Sequence, residues 1–236
     1  RSTIDMPTEL NRKGVIVACD VDSKEKLSDL VKQTCKVGVS GYKIGALLAM
    51  ENLAECVGIV RQFTDLPIIY DHQKWMTDIP DLGALFARKI KAAGVDAVIG
   101  FPLSGPETQS SWTRACQTLE LRVIIGGEMT HSRFIYEWPS PISGYISQGA
   151  PIRIYQLARD MNVTDFVVPG NKADKVRQYR ELLGKEVVFF APGFVTQGGS
   201  ISETGQVAGD YWYSIIGRDI YNARDIGEAA GKYVRA

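Results

Sequence analysis

Several charged residues stand where a globular chain usually keeps apolar side chains. Asp20 ends the run Val-Ile-Val-Ala-Cys-Asp, and Lys43 lies inside Gly-Tyr-Lys-Ile-Gly. Asp71 ends Leu-Pro-Ile-Ile-Tyr-Asp, with Lys74 and Asp78 close behind. A lone charge at a strand end is more often a solvated loop residue or a helix cap than a catalytic group. Lys43 differs, because a cation within a strand must find an anion or lose its charge. Lys43, Asp71, Lys74 and Asp78 together make an alternating set of two ammonium groups and two carboxylates. Each charge in such a set stabilises its neighbours, so a lysine stays protonated even in a closed site. An ammonium group held in this way suits a substrate that acquires carbanion character. Glu128, after Val-Ile-Ile-Gly-Gly, and Arg218, after Tyr-Ser-Ile-Ile-Gly, are further charges just beyond apolar runs.

A second pattern suits an anion. Ala-Pro-Gly-Phe-Val-Thr-Gln-Gly-Gly spans 191–199 and contains Gln197 and Gly198, and Gly217 precedes Arg218. Glycines let backbone N–H groups approach a phosphate, and an arginine can clamp it with two hydrogen bonds. A plain turn at Gly198-Gly199 is the simpler reading. The pairing with Arg218 favours phosphate.

These residues need a scaffold that brings them together. Short β-branched runs alternate with longer amphipathic stretches. The pattern predicts strands over 15–20, 41–45, 67–70, 97–100, 123–126, 165–168, 187–191 and 213–217. It predicts helices over 24–37, 52–63, 80–93, 110–119, 151–161, 172–183 and 219–234. Leu27, Leu30, Val31 and Thr34 share one face of the first helix, and Leu53, Val57, Val60 and Phe63 one face of the second. Asn171 is the expected N-cap of the helix at 172. Strand–helix alternation implies parallel strands with right-handed crossovers. Eight such units in 236 residues point to a closed (β/α)8 TIM barrel. An open doubly wound sheet is the alternative, but no G-x-G-x-x-G follows the first strand and no P-loop motif occurs. In a barrel, the loops after strands seven and eight commonly hold phosphate, and the C-terminal strand ends carry the chemistry. The chain reads as one barrel domain, 1–236, with 1–13 as an N-terminal extension. Residues 131–149, containing Trp138-Pro-Ser-Pro, read as a long loop after strand five with a short helix in it, of the kind that forms lids.

Composition removes several function classes. The chain is 45% hydrophobic and 23% charged, with 27 basic and 27 acidic residues and no net charge. No global electrostatic case exists for nucleic-acid or membrane-surface binding. No apolar run approaches the roughly 20 residues of a membrane helix. The polar N-terminal segment is not a signal peptide. The four cysteines have no C-x-x-C spacing, and they read as thiols of a reducing cytoplasm rather than disulfides or zinc ligands. Asn162-Val-Thr matches a glycosylation sequon by chance. His72 and His131 have no metal-motif spacing, so no metal is expected.

The ordered set resembles the orotidine 5'-monophosphate decarboxylase family from about Gly14 onward. It carries Asp20, Lys43, an Asp…Lys…Asp-Ile-Pro segment (Asp71, Lys74, Asp78, Ile79, Pro80) and Glu128-Met-Thr-His, similar to the family's Glu-Met-Ser-His. Pro192-Gly, Gln197-Gly-Gly and Gly217-Arg218 complete it. The resemblance implies cofactor-free decarboxylation of orotidylate to UMP in pyrimidine synthesis. It implies that Lys74 protonates C6 of the pyrimidine and that Asp71 faces the departing carboxylate. Asp78 resembles the aspartate given across a homodimer interface to a shared site. Lys43 and Asp20 resemble ribose and charge-network residues. Thr130 stands for the serine at the pyrimidine edge, and Pro192 lines the pocket. Gln197, Gly198, Gly217 and Arg218 resemble the phosphate grip. His131 resembles a structural loop residue.

The family's D-x-K-x-x-D differs here by one extra residue on each side of Lys74. On a regular strand such an insertion flips the lysine to the other face. Either a bulge or an early strand end restores convergence, or His72 takes the face of Asp71. The need for an anion favours Asp71. Leu82 replaces a threonine that makes a ribose contact in the family. The alternatives are a Mg-dependent sugar-phosphate lyase of the same barrel family (hexulose-phosphate synthase or keto-gulonate-phosphate decarboxylase) or a nucleotide-binding barrel without turnover.

Overall fold

The computed structural model describes residues 13–72, 76–137, 139–140, 143–193 and 201–236. Eight parallel strands close into a barrel in chain order: β1 (Lys13–Cys19), β2 (Gly41–Gly45), β3 (Ile68–Asp71), β4 (Ala97–Gly100), β5 (Arg122–Gly126), β6 (Asp165–Val167), β7 (Val188–Pro192) and β8 (Trp212–Ile216). Between them run α1 (Lys24–Thr34), α2 (Ala46–Arg61), α3 (Gly83–Ala92), α4 (Pro106–Thr118), α5 (Ala150–Asp160), α6 (Ala173–Leu183) and α7 (Ile201–Ala208). After β8 come α8 (Arg218–Tyr221) and α9 (Ile226–Arg235). The expected (β/α)8 barrel is the architecture found.

Side-chain alternation along the strands divides the apolar residues into two layers. Val15, Val17 and Cys19 of β1 point outward into the layer shared with the helices. Ile16 and Ala18 point inward with Ile69, Ile99, Ile124, Phe190 and Ile215. Charges occupy both ends of this interior. Near the strand starts, Arg122 binds Asp165 through two nitrogens, one at 3.0 Å. Near the strand ends lie Lys43 and Asp71, both buried. The inward positions of β2 are Gly41, Lys43 and Gly45, so the lysine is the only inward side chain of that strand.

The expected helices differ from those observed at six places, the first being α1, which ends at Thr34 with Cys35 as its C-cap rather than at 37. Helix α2 starts at Ala46, and Asn52 interrupts it with an extended φ of −171°. Asn52 then caps the second part by accepting from the Glu55 N–H at 3.2 Å, so the pattern that starts at 52 is real but preceded by a further turn. Helix α4 starts at Pro106, where proline's fixed φ suits a first turn. A 3-10 turn, Pro80–Leu82, precedes α3. The C-terminal stretch divides into α8 and α9, because the Asp225 side chain caps a new start by accepting from the Glu228 N–H at 2.9 Å. Helix α7 carries too short a pattern, interrupted by Gly205, to be read from sequence.

Asn171 is not the cap of α6. Lys172 holds that position without a side-chain cap, and the Asn171 amide instead donates to the Thr130 carbonyl at 3.0 Å. The stretch after β5 forms no helix among its described residues. It folds back on itself through a bridge between Ile135 and Ile146. Gly144 is required there, since a Cβ would lie 2.2 Å from the Phe134 backbone.

Candidate active site

The strand register assembles the charged cluster. Ala18 pairs with Lys43, Lys43 with Ile69, and Gly45 with Asp71. Lys43 therefore projects inward midway between the ends of β1 and β3. Its Nζ lies 2.8 Å from Asp71 Oδ2 and 3.2 Å from Asp20 Oδ1. Asp20 is the first residue after β1 and is exposed. Its carboxylate rests over β2 because residue 45 is glycine: a Cβ there would come within 2.6 Å of Asp20 Oδ1.

Burial of Lys43 disfavours its charge, but attraction by Asp71 and Asp20 outweighs this and holds the pKa above the ordinary lysine value. The ammonium is thus a fixed cation at neutral pH. Asp71 is 6% exposed, and its second oxygen, Oδ1, has no hydrogen-bond partner among the described residues. A buried, open acceptor beside a fixed cation marks a place for a polar group.

Alternation along β3 decides between Asp71 and His72. Tyr70 and His72 face the outer layer together, with Tyr70 Oη 2.6 Å from His72 Nδ1. Burial pushes the Tyr70 phenol up to about 12. Asp71 points the other way and lines a cavity of about 220 Å³ at the C-terminal mouth of the barrel.

That cavity brings together Asp20, Lys43, Asp71, Thr130, Pro192, Gly217 and Arg218 of the sequence-predicted residues. Arg218, exposed at the start of α8, lies on one rim. Thr130 packs against Gly193, the residue after Pro192, whose φ is +90°. A Cβ on Gly193 would stand 2.9 Å from Thr130 Cγ2. Asp78 does not line the cavity. It is exposed, and its Oδ1 accepts from the Ile79 N–H at 2.7 Å. Lys74, Gln197 and Gly198 lie outside the described residues.

The apolar part of the wall comes from Ile99, Phe101, Val167 and Ile215, and Tyr221 closes one side. Phe101 is reached because the inward alternation of β4 continues one step past its last residue. Gly126 opposite leaves the ring its space: a Cβ there would lie 2.2 Å from Phe101 Cζ. That continuation was a usable sequence signal. Tyr221, in a short helix after the last strand, gave none.

The arrangement can seat a planar, polar ligand against an apolar wall. It offers the ligand a cation–anion pair at one end and an arginine at the rim. Several known proteins are similar to this chain over most of its length. A family model described as "Orotidine 5'-phosphate decarboxylase / HUMPS family" matches residues 13–233. The orotidine 5'-phosphate decarboxylase of Pyrococcus furiosus is 29% identical over 219 residues, covering 92% of this chain and 94% of its own. That of Pyrococcus abyssi is 28% identical over 216 residues, covering 92% of this chain and 95% of its own. The Methanocaldococcus jannaschii orotidine 5'-monophosphate decarboxylase, solved with the inhibitor BMP, superposes with a TM-score of 0.81 at 22% identity, covering 94% of this chain and 97% of its own. The Pyrococcus horikoshii enzyme gives 0.77 at 25% identity, covering 94% of this chain and 99% of its own.

Proposed function

Because this chain belongs to the orotidine 5'-phosphate decarboxylase / HUMPS family, we propose that it is a carboxy-lyase converting orotidine 5'-monophosphate to UMP and CO2 in pyrimidine synthesis, without a cofactor. The observation that carries this reading is the buried Lys43–Asp71 pair, 2.8 Å apart, facing a cavity with Arg218 on its rim.

In this reading the pyrimidine lies against the apolar wall, with Thr130 hydrogen-bonding its edge and Pro192 beside the reacting carbon. Asp20 and Lys43 hold the ribose hydroxyls. Arg218, Gly217, Gln197 and Gly198 bind the phosphate. Asp71 faces the substrate carboxylate. The bond from C6 to the carboxylate breaks, CO2 departs, and the electron pair stays on C6. Lys74 stabilises that charge and delivers its proton to C6. Preorganised charge in a water-poor site is the usual source of such stabilisation. Phosphate binding supplies remote binding energy that holds the reacting centre in place.

The exposed position of Asp78, beside exposed Ile79, suits a residue that completes the site of a second subunit. We therefore propose a homodimer with shared active sites. The reading includes no nucleic-acid or membrane partner. No helix among the described residues is long and apolar enough to cross a membrane. We assign the work to the cytoplasm, where free thiols such as Cys19, Cys56 and Cys116 stay reduced.

The deciding experiment follows orotidylate absorbance with and without EDTA. Turnover at equal rates in both supports the assignment. Turnover of a sugar phosphate that depends on added Mg2+ would move the chain to the lyases of the same family. Binding of UMP without any loss of orotidylate would leave a barrel that only binds. Lys74→Ala should lower kcat by at least about a thousandfold with the fold intact.

A further inference from the structure

The peptide that carries Thr130 into the cavity lies beyond the sheet. Strand β5 pairs with β6 only as far as Gly126 and Val167, so among the described residues no ladder holds 127–130. Side chains hold them instead. The Gly127 N–H donates to Tyr155 Oη at 3.1 Å, Lys172 Nζ donates to the Met129 carbonyl at 3.0 Å, and Asn171 Nδ2 donates to the Thr130 carbonyl at 3.0 Å. The Lys172 ammonium is itself fixed, 2.8 Å from Glu128 Oε1. Glu128 is 3% exposed and points away from the cavity, and its other oxygen accepts from Tyr179 Oη.

We propose that Lys172 and Asn171, neither of which lines the cavity, are positioning residues that fix the Thr130 hydroxyl against the ligand. Lys172 joins two consecutive residues, through the Glu128 side chain and the Met129 carbonyl. That fixes the turn of the backbone just before Thr130. Asn171 then fixes the carbonyl of Thr130 itself. The threonine has one remaining soft torsion, about Cα–Cβ, and its methyl is confined by Gly193, where even a Cβ would be 2.9 Å away. Hydroxyl direction is thereby set from the turn between β6 and α6. Positional errors near 1 Å in such a group weaken ligand contacts substantially.

The inference rests on the cavity being the orotidylate site, which wild-type turnover tests separately. Given turnover, Thr130→Val, Asn171→Ala and Lys172→Met should each raise KM by about fivefold to tenfold, with smaller changes in kcat. Combined with Thr130→Val, the other two should add nothing, since their target is already gone. Lys172→Arg should restore most of the loss by keeping a donor to Glu128 and Met129. A purely structural role would multiply the losses in the double variants. Melting curves separate unfolding from misplacement, and Asn171→Ala leaves no charge buried if Lys172→Met proves unstable. Unchanged KM in any single variant, or multiplied losses in the doubles, would overturn the proposal.

Discussion

Lys43 Nζ lies 2.8 Å from Asp71 Oδ2, and both residues are buried inside the barrel mouth. Asp71 is one of the two carboxylates that keep the buried Lys43 ammonium charged there. Removing one partner of such a pair leaves an uncompensated buried charge, which typically costs about 3–5 kcal/mol. Lys43→Met should therefore destabilise the fold more than Lys43→Met/Asp71→Asn, although the second changes more atoms. Urea unfolding of the two variants checks the order. Equal stability would mean that the ion pair does not govern the site.

The same pair sets an alkaline limit. The folded-state pKa of Lys43 is raised, so its contribution to stability is complete below the unfolded-state value of about 10.4 and fades as pH rises through the folded-state value. Between about pH 7 and 9.5 the stability advantage of wild type over Lys43→Met/Asp71→Asn should be flat, and it should shrink at higher pH. Denaturant titrations across that range read it directly.

Gly45→Ala should act on Asp20 alone. The new Cβ would meet Asp20 Oδ1 at 2.6 Å, and the exposed carboxylate can swing off. Loss of its contact with Lys43 should raise KM by about tenfold with little change in melting temperature. A large thermal loss with normal KM would show that β2 had shifted instead.

Arg218→Ala should chiefly raise KM for the phosphorylated substrate, by about tenfold to a hundredfold, as expected for one charge-assisted phosphate contact. The unphosphorylated nucleoside should bind both proteins alike. Steady-state kinetics and competition by the nucleoside distinguish this from a general loss of folding.

Arg122→Met should do the opposite. The Arg122–Asp165 pair lies near the strand starts, and neither residue lines the cavity. Stability should fall by about 3–5 kcal/mol while kcat/KM of the folded fraction stays within about twofold. A tenfold kinetic loss would mean that the two ends of the barrel communicate.

The strands were legible because their apolar alternation is dense: 41–45 and 97–100 coincide with β2 and β4. The cluster was legible because Lys43 breaks that alternation with a charge. The inserted residue before Lys74 raised a choice between Asp71 and His72 that spacing could not decide. Pairing did, by putting Tyr70 and His72 on one face. Asn171 has the right type and place for a cap, but a tertiary acceptor, the Thr130 carbonyl, outcompeted the local one. The wall residue Tyr221 depends on how a four-residue helix turns after β8, which no periodicity encodes.

Strand β2 gives the barrel interior a single side chain, and of its two neighbours on that face Gly41 is held small by backbone and Gly45 by a side chain that can move. A Cβ on Gly41 would meet the Pro67 carbonyl at 2.7 Å, and one on Gly45 the Asp20 carboxylate. The methylene stem of Lys43 is thus the sole filler on that side, besides bearing the charge. A shorter residue at 43 opens a void, and the Pro67 carbonyl keeps Gly41 from growing to fill it. Drift at this position is barred twice over, once by volume and once by electrostatics.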